Sequence, residues 1–116
     1  MIRKAAQMET EVKNAVRGGA GNVTFQHFFK KDEITARTRL CARLILPPGA
    51  SIGLHKHEGE DELFVVTRGM GLIDDGKTKE PVQVGDAILT GKGEAHAVIN
   101  NGHEPLEMVA IIMLYS

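Results

Sequence analysis

The sequence His55-Lys-His57 lies in a segment bounded by Gly49 and Gly69, and Glu62 follows five residues after the second histidine. In an extended chain, side chains alternate between faces, so His55 and His57 share one face and Lys56 takes the other. A short loop through Gly59 turns the chain back and sets Glu62 at the start of an apolar run, 63–67, where its carboxylate can join the two imidazoles. A third histidine, His96, opens another apolar stretch after the Gly-rich turn at 91–93. Three neutral imidazoles and one carboxylate are borderline-to-hard ligands, suited to Mn, Fe, Co, Ni, Cu or Zn rather than calcium or magnesium. A six-coordinate ion would keep two open positions for a carboxylate, a diol, or water and dioxygen, whereas a filled tetrahedral zinc shell would keep none. Such an ion can polarise a substrate oxygen, lower the pKa of bound water, or template a substrate beside dioxygen. The proton-transfer candidates nearby are Glu58, Glu60, Asp61 and Glu94, at least two of which read as a solvated acidic loop.

The elements that must position these groups read as strands. Residues 23–29 alternate Val23, Phe25, His27 and Phe29 against Thr24, Gln26 and Phe28, with His27 as a half-buried structural histidine. A charged turn follows at 30–33, and 35–46 form a long strand ended by Pro47-Pro48-Gly49. On that strand Arg37, Arg39, Cys41 and Arg43 share one face, with Leu40, Ala42, Leu44 and Leu46 on the other. Arginines facing the site would hold an anionic substrate through bidentate contacts; facing away, they are the wet side of a sheet. Strands at 70–74, 82–84, 87–90, 95–100 and 106–114, with turns at Asp75-Gly76 and Asn101-Gly102, bring the count to about eight or nine. That spacing predicts an all-β antiparallel sandwich or barrel. Residues 1–16 carry only weak helical periodicity (Ile2, Ala5, Ala6, Val12, Val16), and 17–21 read as a flexible connector, since no Gly-Lys-Ser/Thr follows to make a phosphate loop. Residues 1–22 are therefore expected as an arm packing on a barrel of residues 23–116 or on a partner subunit.

The two ligand-bearing stretches resemble the two motifs of the cupins. The first runs Gly49, five residues, His55-Lys-His57, then Glu62, six residues and Gly69; the second runs Gly85, five residues, Gly91-Lys-Gly93, two residues, His96, three residues and Asn100. The second departs from the family pattern at Gly91, where cupins usually have proline, which loosens a turn and leaves the ligands in place. The resemblance implies a jelly-roll barrel, the double-stranded β-helix. It also implies His55, His57, Glu62 and His96 as ligands of one divalent transition metal per chain. Small cupins of this kind look like single-domain relatives of oxalate decarboxylase and germin-type oxalate oxidase, which implies Mn ahead of Fe, Ni, Cu, Co or Zn. The implied activity is decarboxylation or oxidation of a small organic acid such as oxalate, with Arg37, Arg39 and Arg43 as candidate substrate contacts. Asn100 is expected to fix strand ends rather than to touch substrate. The alternatives are a non-catalytic cupin in which the metal anchors a small molecule, and a domain whose metal only ties strands together.

Composition bounds these readings. A chain of 116 residues, 42% hydrophobic and 25% charged, makes one globular domain, and a net charge of -1 gives no basic footprint for nucleic acid. The lone Cys41 forms no internal disulfide, and the first residues lack the apolar core of a signal peptide, so a cytoplasmic protein is expected. The run 108–115 is too short to span a bilayer. Few aromatics and no tryptophan argue against a large aromatic ligand. Open sheet edges and the unattached arm predict a homodimer.

Overall fold

Along 106–114 every second residue is apolar and buried, from Leu106 through Met108 and Ala110 to Ile112, and this strand is the centre of the architecture. The structure, a computed structural model, describes residues 1–116 and contains ten strands: β1 (Glu9–Asn14), β2 (Asn22–His27), β3 (Thr38–Leu46), β4 (Ser51–Lys56), β5 (Glu60–Arg68), β6 (Met70–Asp74), β7 (Lys79–Gln83), β8 (Ala87–Thr90), β9 (Ala95–Ile99) and β10 (Leu106–Leu114). They form a six-stranded sheet, β1-β2-β3-β10-β5-β8, and a four-stranded sheet, β4-β9-β6-β7, antiparallel throughout. The fold is the expected all-β jelly-roll sandwich, with three short 3₁₀ turns and no α-helix.

Cross-strand register sorts the inward positions into two zones. At one end, Leu46 pairs with Leu106 and Leu44 with Met108, and these pack with Val23, Ile52, Val66 and Val98 into a dry core. Towards the other end, Leu40 pairs with Ile112, and the inward residues of β2, β3, β5 and β10 line a cavity of about 490 Å³ instead.

Two expectations for the N-terminal part are corrected. Residues 9–14 form a strand, β1, paired with β2 from Glu9↔His27 to Asn14↔Asn22, and of the apolar residues behind the helical pattern only Val16 packs on the core, while Ile2 is 85% exposed and Val12 65%. Nor is 17–21 a loose connector. The backbone amide of Ser51 donates to Ala20 O (2.9 Å), the amide of Ala20 to Ser51 Oγ (2.8 Å) and that of Ala15 to Gly21 O (3.0 Å). A Cβ at Gly19 would overlap the carbonyl of Ser51, and one at Gly53 the carbonyl of Arg17. The glycines are there so that two backbones can touch.

Candidate metal centre

The register between β4 and β9 slips by one residue: Ile52 faces Val98, yet His55 faces His96. The extra residue makes a bulge at Gly53-Leu54, which lets Ile52 enter the core while the later His55 also points inward. Bulges re-aim side chains in this way. His57 lies just past β4, its amide donating to Glu94 O (2.9 Å) and its carbonyl accepting from Gly93 N (2.8 Å), so the turn at 91–94 carries it. Glu62 comes from β5, paired with Thr90 of β8 and Ile112 of β10.

Both sheets thus deliver ligand atoms to one point. His57, Glu62 and His96 are buried and His55 half-buried, and one ligand atom from each lies within 4.8 Å of the others. His57 Nε2 is 2.9 Å from His96 Nε2 and 2.9 Å from Glu62 Oε1; His96 Nε2 is 3.2 Å from His55 Nε2 and 3.1 Å from Glu62 Oε1. Donors about 2.1 Å from one ion and roughly at right angles stand about 3 Å apart, so the spacing suits a single metal.

The opposite ring nitrogens settle the protonation pattern. His55 Nδ1 donates to the carbonyl of Gly53 (2.7 Å) and His57 Nδ1 to Glu60 Oε2 (2.5 Å), while His96 Nδ1 shares a hydrogen bond with Thr90 Oγ1 (2.9 Å). A carbonyl and a carboxylate only accept, so His55 and His57 carry a proton on Nδ1, and the neutral imidazole of each, the form that ligates a metal, has its lone pair at Nε2. Glu60 is itself held by Arg39, whose Nε and Nη2 donate to its two oxygens at 3.0 and 2.8 Å. That guanidinium, and then His57, lower the Glu60 pKa to about 2. Phe64 stacks on His96 with ring centroids 5.0 Å apart.

Electrostatically the cluster calls for a cation. Burial pushes the His55 imidazole below its ordinary pKa, while hydrogen bonding to Glu62, and secondarily to Glu60, raises that of His57. Burial favours a neutral Glu62, but hydrogen bonds from His57 and His96 outweigh it and keep its pKa low. The Glu62 carboxylate points at the centre, and Gly53 O and Glu60 turn the lone pairs of neutral His55 and His57 towards it. The donor set fits one divalent transition ion.

The chain is a cupin. The cupin domain family model matches residues 42–112, more than half of the sequence. An oxalate-binding protein of Thermotoga maritima is 39% identical over 114 residues, covering 98% of this chain and 94% of that one. A crystal structure described as a predicted oxalate decarboxylase, also from Thermotoga maritima, superposes with a TM-score of 0.93 at 38% identity, covering 98% of this cupin and 99% of the other chain. A Cupin 2 conserved barrel domain protein from Salinispora arenicola shares the fold, with a TM-score of 0.70 at 20% identity over 89% of this chain and 81% of that one.

The other residues singled out in the sequence are dispersed. The even positions of β3 face inward, and of the arginine face only Arg39 and Cys41 are among the residues lining the cavity. Arg43 stacks 5.1 Å from the Phe28 ring and donates to Gln26 Oε1 (2.7 Å), and Arg37 is exposed ahead of β3. Arg39 alone of the three reaches the cavity lining, with its guanidinium on Glu60. Of the acidic candidates, Glu60 supports His57, Asp61 accepts from Tyr115 (2.5 Å), Glu94 accepts from Gly91 N (3.2 Å) and Glu58 is exposed. Gly91 has a local cause: a Cβ there would overlap the Asp61 carboxylate that Tyr115 holds. Asn100 is buried and donates to Leu46 O (2.8 Å) and Glu104 O (2.9 Å), joining the end of β3 to the β9–β10 turn.

Three features of the cavity were not anticipated. His27 lines it and pairs at 2.6 Å with Glu11 of β1. Five cations (Lys13, Arg17, Lys30, Lys31, Arg39) and two carboxylates (Glu11, Glu62) are among the lining residues. Three of the four phenylalanines, Phe25, Phe29 and Phe64, also line it, so the few aromatics of the sequence are concentrated where a ligand would sit.

Proposed function

We propose that this cupin binds the anion of a small organic acid, oxalate being the simplest, at a divalent transition metal held by His55, His57, Glu62 and His96, with Mn as the first candidate. The observation that carries this reading is the convergence of lone pairs and a carboxylate at the floor of a cavity whose remaining charges are mostly positive. The oxalate-binding relative supports the choice of anion. When bound, the metal would supply Lewis acidity and open positions for carboxylate oxygens. The protein's part is positioning: Glu60 fixes the His57 tautomer, Gly53 O fixes that of His55, Thr90 and Phe64 orient His96, and the apolar wall excludes water.

Binding stands ahead of catalysis because the Glu60 carboxylate is engaged and Glu58, Asp61 and Glu94 are not among the cavity-lining residues. Decarboxylation or oxidation is the second reading, favoured by the His27–Glu11 pair, which puts an imidazole hydrogen-bonded to a carboxylate in the same cavity. The test is elemental analysis of protein purified without added metal or chelator, followed by oxalate titration against the metal's spectroscopic signal. About one Mn, Fe, Ni or Cu per chain with a signal that moves on titration supports an open site; one unresponsive zinc per chain sinks it. Release of carbon dioxide with formate, or with hydrogen peroxide under dioxygen, would establish the second reading.

We further propose a homodimer formed through the outer face of the six-stranded sheet. There Cys41, Ile111, Leu63 and Leu89 form one row across four strands, continued by Phe28 just past β2, and Leu89 is 62% exposed. A self-complementary apolar face suits a two-fold interface. A monomeric mass by light scattering would overturn it. No helix of the chain is long and apolar enough to cross a membrane.

A further inference from the structure

Oxalate at the floor leaves much of the cavity unused. Oxalate is two carboxylates joined directly, whereas the cavity measures about 490 Å³, within the roughly 300–1,000 Å³ that enclose drug-sized ligands. Above the metal centre its wall is apolar, built from Phe25, Phe29, Leu40, Ile52 and Phe64. Beyond the wall are the rim cations, most of them committed. Lys30 pairs with Glu9 and lies near Glu11, Arg39 pairs with Glu60, and Lys13 lies over the Phe25 ring at 4.6 Å. Arg17 and Lys31 line the same cavity and take part in none of the chain's ion pairs, and of the two only Arg17 has its backbone packed against β4.

The backbone at Arg17 is equally specific. It adopts φ 53 and ψ 31, a left-handed conformation that glycine enters without steric cost and arginine does not. Two glycines follow at 18 and 19, yet arginine occupies this position. Its carbonyl packs against Gly53, where a Cβ would overlap it, two residues from His55. A fixed backbone thus presents an uncommitted arginine at the lining of the cavity that holds the metal centre.

We propose that the cavity takes an amphiphilic acid with three parts: an α-hydroxy- or α-keto-carboxylate head on the metal, an apolar body between the phenylalanines, and a second anionic group on Arg17. This rests on the reading of the floor as a metal centre that binds carboxylates. It adds a ligand class larger than oxalate and a specificity residue from the N-terminal arm.

A matched series tests it by calorimetry on the metal-loaded full-length protein: oxalate (head only), mandelate (head and apolar body) and 4-carboxymandelate (all three parts). Expected is that 4-carboxymandelate binds at least about tenfold more tightly than mandelate, as a charge-assisted contact would give. Arg17→Gln should erase that advantage, leave oxalate and mandelate within about twofold, and keep one metal per chain; Arg17→Lys should restore part of it. Equal affinity of the wild type for mandelate and 4-carboxymandelate, or an equal loss for all three acids in Arg17→Gln, overturns the proposal. Binding of oxalate alone also overturns it and leaves the floor reading intact. If no acid binds, both fail; if 4-carboxymandelate binds through Arg17 and oxalate does not, the three-part site stands and the oxalate reading falls.

Discussion

The floor and the rim of the cavity are built on different principles. At the floor, His57, Glu62 and His96 are buried, and each histidine has its Nδ1 tied to a fixed partner. At the rim, Lys13, Arg17 and Lys31 are exposed side chains on long stems, carried by a strand and turns with no apolar face of their own. A buried, mutually supported cluster fixes geometry and so can select an ion. An exposed cationic rim can draw anions in and sort them by length, but screening by salt weakens it. On the proposed reading, metal selection would fall to the floor and ligand selection to the rim of one cavity.

The largest break in this contrast should come from the floor. His96→Ala removes a ligand while leaving its neighbours Thr90 and Phe64 in place. Stoichiometric metal should be lost in elemental analysis, with the β-sheet circular dichroism preserved. A variant that kept full metal affinity would overturn the ligand assignment. Next in size is Glu60→Gln, which replaces an obligate acceptor by an amide that can donate to His57 Nδ1 and turn a proton towards the centre. Metal affinity should fall about 10- to 100-fold, the usual cost of losing a group that orients a ligand. Arg17→Gln should leave metal affinity unchanged, so an equal loss in both variants would erase the distinction between floor and rim.

That difference in construction also explains what could be read in advance. His55, His57, Glu62 and His96 are legible because strand alternation and glycine-marked turns specify their faces locally. The bulge between Ile52 and His55 was not seen, although Gly53 inside a strand is the kind of residue that marks one. The inner and outer sets of β3 were sorted correctly. Which residues open on the cavity depends on the partner sheet: Leu40 and Leu44 of the apolar set do, and so do Arg39 and Cys41 of the other. Glu60 depends on the approach of Arg39, 21 residues away, and its own surroundings in sequence are those of an acidic loop. β1 was missed because Glu9, Glu11 and Lys13 alternate with Thr10, Val12 and Asn14, which leaves no buried apolar face to betray a strand.

The join between the two regions should be sensitive to volume. Gly19 and Gly53 let the turn bearing Arg17 lie against β4, so Gly19→Ala should lower stability by about 1–3 kcal/mol, the range for overpacking. Thermal melts would register it, and an unchanged Tm would mean that the turn is not seated on β4. Gly91→Pro, which restores the usual cupin residue, should destabilise as well, because the Asp61 carboxylate occupies the space.

The smallest expected effect separates two carboxylates that share an acidic pKa for different reasons. Arg3 donates from Nη1 and Nη2 to both oxygens of Glu33 at 2.7 and 2.6 Å, at the turn that precedes β3, and lowers its pKa to about 2. Glu60 is also lowered to about 2, by Arg39 first and His57 after it. Both groups are depressed in the folded state, so the stability they confer is complete above the ordinary value of 4.5 and is lost as pH falls from there towards 2. Salt should distinguish them, since the Glu33 side chain is 26% exposed and that of Glu60 12%, and the more buried carboxylate is screened less. A carbon-detected NMR titration at low and at molar salt should show the Glu33 midpoint climbing towards the ordinary carboxylate range while that of Glu60 holds. A parallel climb of both would mean that Glu60 is screened as readily as Glu33, and that the floor is no more preorganised than the rim.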